Sequence, residues 1–132
     1  MSKGGRYIGI GASYLIVILS LCGCSGGPKL VAVTGKASFK GQPLTAGAIY
    51  LHPGEGNDWK GDNPSSVLQI DGRFELRTPP HGAGAPSGVW KVTFSPALAN
   101  RIGRPNWGDP QQTPLTLEIP EDGLKDYFIE IK

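Results

Sequence analysis

At 132 residues the chain has room for one domain, and a mostly apolar N-terminal stretch takes part of that length. Thirteen basic residues face eleven acidic ones, but Lys3 and Arg6 lie in that stretch, so the remainder balances at eleven of each sign. A formally neutral domain argues against nucleic acid, whose phosphates are met by a basic surface.

Residues 1–23 read as a targeting segment. Lys3 and Arg6 make a positive start, and 7–21 carries no charge and is rich in Ile, Leu and Val. A spanning helix needs roughly 20 apolar residues to cross about 30 Å of hydrocarbon. This run is shorter and ends in Cys22-Gly23-Cys24-Ser25-Gly26-Gly27, so a signal-peptide helix is expected rather than a permanent span. Leu21-Cys22-Gly23-Cys24 resembles the lipobox of bacterial lipoproteins, with an aliphatic residue three before the cysteine and a small one directly before it. The resemblance implies a diacylglyceryl group on the Cys24 thiol and cleavage after Gly23. Cys22 departs from the commoner Ala or Ser but is also small; modification at Cys22 instead would place bulky Leu21 next to it. Ordinary signal-peptidase cleavage and an uncleaved anchor are the alternatives. After cleavage Cys24 is the one cysteine left, so no disulfide framework is expected. Two or three acyl chains hold a protein at a membrane where one does not. Residues 24–29 then form a lipidated tether, and Ser25, in place of the Asp that retains some lipoproteins at the inner membrane, favours the outer one, facing periplasm or surface.

The domain 30–132 alternates short apolar runs with turn residues, as an all-β chain does. Glycine and proline (20 and 12) recur without any repeat. In 30–39, Val31, Val33, Gly35, Ala37 and Phe39 fall on one face and Lys36, Ser38 and Lys40 on the other. A second strand follows at 48–52, then a polar loop over 53–66. Asp71-Gly72 between 67–70 and 73–78 predicts a hairpin with a type I′ turn, with Phe74 and Leu76 inward. The 89–95 strand buries Trp90, Val92 and Phe94 and exposes Lys91 and Thr93. A proline-rich loop precedes strands at 115–119 and 127–131. These are seven strands without an amphipathic helix, and two stacked antiparallel sheets bury one face of each.

The motifs Val33-x-Gly35-x-Ala37-x-Phe39-x-Gly41-x-Pro43-Leu44, Gly47-Ala48-Ile49 and Pro53, with Asp71-Gly72-x-Phe74-x-Leu76, resemble the carboxypeptidase-regulatory-like, transthyretin-related domains. Gly84-Ala85-Pro86-x-Gly88-x-Trp90-Lys91-Val92, then Asp109-Pro110, Thr113-Pro114-Leu115, Ile119-Pro120 and Gly123, resemble small bacterial lipoproteins of that type. The likeness covers most of 31–132. Trp90 and Trp107 depart from it, standing where Tyr is common. It implies a seven-stranded Greek-key β-sandwich (transthyretin- or prealbumin-like) on a lipoprotein, and no established activity.

Chemistry-bearing patterns are sparse. His52 and His81 fall at a strand end and in a loop, without metal-ligand spacing, and read as surface residues. Transthyretin-like folds include a hydrolase branch using histidine with arginine, and its motif does not match here. Glu55, Asp58 and Asp62, with Asn57 and Asn63, crowd one loop without the EF-hand spacing and read as solvated. No metal and no cofactor is expected. Trp59 and Trp107, both in loops, are the candidate ligand or partner contacts. Trp107 is expected to fold back over the sandwich edge, and Trp59, between Asp58 and Lys60-Gly61, to be the more exposed. The functional readings, in order, are a non-enzymatic structural or protein-interaction module of the cell envelope, a module contacting polysaccharide, and a hydrolase.

Overall fold

Two-residue alternation dictates the architecture of the computed structural model, which describes residues 28–132. The targeting segment, Cys24 and the lipobox residues Leu21, Cys22 and Gly23 lie outside the described residues. The domain is all-β with two sheets. One holds β1 (Val33–Phe39), β2 (Gln42–Pro43), β5 (Arg73–Glu75) and β10 (Leu124–Ile131). The other runs in the order β7 (Gly82–Ala83), β6 (Arg77–Thr78), β4 (Ser65–Val67), β3 (Ala48–Pro53), β8 (Gly88–Phe94), β9 (Thr116–Ile119).

The inward residues of each strand make one core. Val33, Ala37, Phe74, Ile129 and Ile131 of the four-stranded sheet meet Ile49, Leu51, Trp90, Val92, Phe94, Leu117 and Ile119 of the six-stranded one, all buried. Trp90 is wholly enclosed, and its Nε1–H donates to the Pro86 carbonyl at 3.0 Å, so the large ring buries without an unmet donor.

Several expectations change in detail. A tight turn forms at Asp71-Gly72, where Gly72 donates to the Gln69 carbonyl (2.8 Å) and Gln69 to the Arg73 carbonyl (2.9 Å), but the flanking strands do not pair as the expected hairpin. Gly72 has φ +84° while Asp71 stays at negative φ, so the turn is not type I′, which needs positive φ at both central residues. A Cβ on Gly72 would lie 2.6 Å from the Ala37 carbonyl oxygen. The arms of the hairpin part company: β4 joins the six-stranded sheet and β5 the four-stranded one. The run 73–78 is likewise two segments, changing sheet at buried Leu76, whose N–H donates to the Val33 carbonyl (3.0 Å). Thr93, expected outside, is 2% exposed.

The stretch read as a proline-rich loop holds a short helix, α1 (Pro96–Arg101), and a 3₁₀ turn, Pro105–Gly108. Pro96 sits in the first helical turn, where its missing N–H breaks no bond. Leu98, Ala99 and Ile102 are buried, closing one end of the sandwich beside Gly47.

The first and last strands pair in parallel. Val33 lies opposite Leu124, but Gly35 lies opposite Tyr127, so β10 carries one residue more than β1 across this step. Asp126 takes the strain at φ +57°, and its N–H donates to Thr34 Oγ1 at 3.2 Å. A β-bulge of this kind reverses the parity of the strand. Tyr127, Ile129 and Ile131 therefore share the phase of the core, and Phe128 turns to the outside.

Candidate functional site

Parity delivers an aromatic ring to the outer face of the four-stranded sheet. Phe128, 55% exposed, lies opposite Lys36 of β1, which lies opposite Arg73 of β5, so one rung across three strands reads Phe128–Lys36–Arg73. The next rung one way pairs Thr34 with Glu75; the other way Ser38 lies between Glu130 and Pro43. Two like charges directly opposite one another are unfavourable in a sheet. Arg73 is relieved by Asp71, with Nε 3.1 Å from Oδ2, the one ion pair among the described residues. Lys36 has no such partner within ion-pair distance.

This face is concave. A recess of about 670 Å³ opens over Phe128, Lys36, Thr34, Arg73, Glu75 and Asp126, and a second of about 270 Å³ continues past Phe128 and Lys36 to Ser38, Glu130 and Gly41. Gly35 helps shape the floor: a Cβ there would lie 2.1 Å from the Tyr127 carbonyl oxygen and 2.6 Å from the Phe74 ring. Ser38 is 7% exposed, and its Oγ is the one buried side-chain polar atom without a hydrogen-bond partner among the described residues. A buried hydroxyl left unmet costs about 1–3 kcal/mol. The cleft thus combines an apolar ring, donors and acceptors of both charge signs, and an unused hydroxyl.

The sequence-predicted aromatics lie elsewhere. Trp107 is half-buried and stacks on core Phe94, ring centroids 6.4 Å apart. Arg104 sits over the same ring, 5.1 Å from its centroid, and also 5.7 Å from the Phe39 ring, which Lys40 approaches at 5.3 Å. Trp59 is half-buried against the core, and its Nε1–H donates to the Asp62 carbonyl at 2.9 Å. Exposed His81 meets the Trp59 ring edge-on at 6.4 Å. The two tryptophans lie at opposite ends of the sandwich and form no shared shelf.

His52 is not a free surface imidazole. Asn63 Nδ2 donates to its Nδ1 (3.2 Å), which leaves the Nε2–H to donate to buried Thr93 Oγ1 (3.0 Å). Burial pushes its pKa below the ordinary 6.5, favouring the neutral ring that this pattern needs. In the acidic loop, Asn57 donates to the Val89 carbonyl (2.9 Å) and accepts from the Trp59 N–H (3.0 Å), so its amide braces the loop. Among the described residues no three His, Cys, Asp or Glu groups converge as metal ligands, and no helix is long and apolar enough to cross a membrane.

Phe128 and Ser38 were not singled out by sequence. The phase of Phe128 depends on the bulge at Asp126, and a serine on the polar face of a strand carries no signal of its own. No protein-family model, curated protein or solved structure matches the chain.

Proposed function

We propose that this protein is a lipid-anchored module of a bacterial cell envelope, at the outer membrane, that acts by binding rather than by catalysis. The anchor rests on Leu21-Cys22-Gly23-Cys24 following an apolar segment. The single observation that carries the binding role is exposed Phe128 in a cleft beside an edge that is unpaired among the described residues, where β10 closes one side of its sheet without a further strand. Such an edge offers backbone donors and acceptors to a partner strand, and its bulge and charged Lys125 and Glu130 restrain indiscriminate pairing. A protein of the envelope docking along β10 is the leading reading.

Within this proposal the fold is a transthyretin-like Greek-key sandwich. In its support, seven of the ten segments are three residues or longer (β1, β3, β4, β5, β8, β9 and β10). The hydrolase reading gains nothing from His52, whose two ring nitrogens are already engaged.

Geometry adds an orientation. Val31 and Ala85 exchange backbone hydrogen bonds of 2.9 Å, so the chain joins the domain at the end that also holds the Glu121-Asp122 turn and the loop carrying Trp59. Six residues lie between Cys24 and Val31, and the seven steps reach at most about 25 Å. An acylated Cys24 therefore keeps that end toward the bilayer and leaves the β10 cleft on the flank.

The test places a photo-crosslinking residue at position 128, and in a second protein at 118 on β9, in otherwise intact chains in cells. Specific adducts from 128, absent from 118 and lost with Cys24→Ala, are expected. Equal adducts from both positions would remove the basis for assigning a role to this face.

A further inference from the structure

We propose that the cleft over Phe128 binds a neutral saccharide chain, beside the β10 backbone edge that a protein partner takes; this rests on reading the protein as a binding module, and adds a ligand on that same face. A sugar unit presents an apolar C–H face and a rim of hydroxyls that both donate and accept. The cleft answers each. Phe128 is a solvent-facing ring for the C–H face. Glu75 and Glu130 are exposed acceptors, and Lys36 and Arg73 exposed donors. The second, independent observation is Ser38: the residue lines the continuation of the cleft, and its hydroxyl, buried just below that surface, has no partner. Buried polar atoms in native proteins are nearly always satisfied, so an orphan hydroxyl just beneath a recess marks a place where a ligand hydroxyl, reached by a small shift of the covering side chains, completes the pattern.

Charge selects among polymers. Lys36 and Arg73 share the central rung, with Glu75 and Asp126 toward one end of the cleft and Glu130 toward the other, so a polyanion meets the three carboxylates and a polycation the two cations. A neutral, polyhydroxylated chain meets no like charge. The recess is within the roughly 300–1,000 Å³ of small-ligand sites, and the second recess past Phe128 extends it along the strands.

The test is amide NMR of the full-length protein in detergent micelles, titrated with hexamers of glucose, of N-acetylglucosamine and of galacturonate. Saturable shifts with a neutral hexamer are expected in β1, β5 and β10. Phe128→Ala should weaken binding about tenfold and Phe128→Leu nearly as much, because the ring face rather than apolar area is lost. Ser38→Ala should weaken it about threefold. The proposal is overturned by an absence of shifts up to roughly 10 mM, by shifts confined to the Trp59 or Trp107 regions, or by tighter binding of the galacturonate hexamer than of either neutral one. Crosslinks from position 128 without any sugar response overturn the saccharide assignment alone; loss of both removes the binding-module reading too.

Discussion

The outer faces of the two sheets solve the same problem differently. On the six-stranded sheet, Thr93 is buried but its hydroxyl accepts from His52, which Asn63 holds in turn. On the four-stranded sheet, Ser38 is buried and its hydroxyl meets nothing, beside a phenyl ring in solvent. Both residues are small β-hydroxyl side chains on outward positions of long strands. One face has closed its polar bookkeeping within the fold and the other has left it open, and that open hydroxyl is what the proposed binding face rests on.

Substitutions can break that contrast. The largest effect is expected from Gly35→Ala, because the new methyl meets the Tyr127 backbone as well as the Phe74 ring. Backbone cannot step aside without dismantling the β1–β10 pairing, so a loss of about 3 kcal/mol is expected in urea unfolding. A loss below about 1 kcal/mol would mean that β10 sits more loosely on β1 than the register implies.

Thr93→Val keeps shape and removes the hydroxyl that satisfies His52, so it should cost about 1 kcal/mol by the same measurement. The imidazole adds a pH signature. Its folded pKa lies below 6.5, so its contribution is fully present above that value. As pH falls through about 6.5 toward the folded pKa, the unfolded chain takes up the proton first and the contribution is lost. The melting temperature should therefore fall from pH 7.5 to 5.5, less steeply in His52→Gln, and an unchanged slope in that variant would contradict the assignment.

Ser38→Ala should have the smallest effect on stability: no loss, or a slight gain, since it deletes an unmet polar atom. A loss approaching that of Thr93→Val would show that Ser38 is satisfied after all and would erase the difference between the faces.

Much of the β architecture was legible because alternation is a local property. The inward sets of β1 and β8, the strand at β3, and a turn at Asp71-Gly72 follow from residues near in sequence. What escaped depended on distant partners. Nothing around Leu76 says that the chain changes sheet there, since Phe74 and Leu76 keep one continuous alternation. The six residues of α1 are too few for a helical period to stand out beside three prolines. At the candidate site the decisive feature was one extra residue near Asp126, which puts Phe128 out of phase with the core. Trp59 and Trp107 drew attention as loop aromatics, yet their rings are tied back by Asp62 and by Phe94 with Arg104.

The parallel pairing of β1 with β10 sets how such a domain bears mechanical load. In a lipid-anchored chain, a pull from the membrane reaches β1 at its Val33 end, while a partner gripping β10 near Ile131 pulls the other way. Parallel strands drawn toward opposite ends slide past one another, so the six rungs of this ladder are loaded together in shear instead of unzipping one by one. Resistance to force is governed by the rate of unfolding rather than by equilibrium stability. The joint between the first and last strands is thus the element that fixes how long a stretched molecule stays folded.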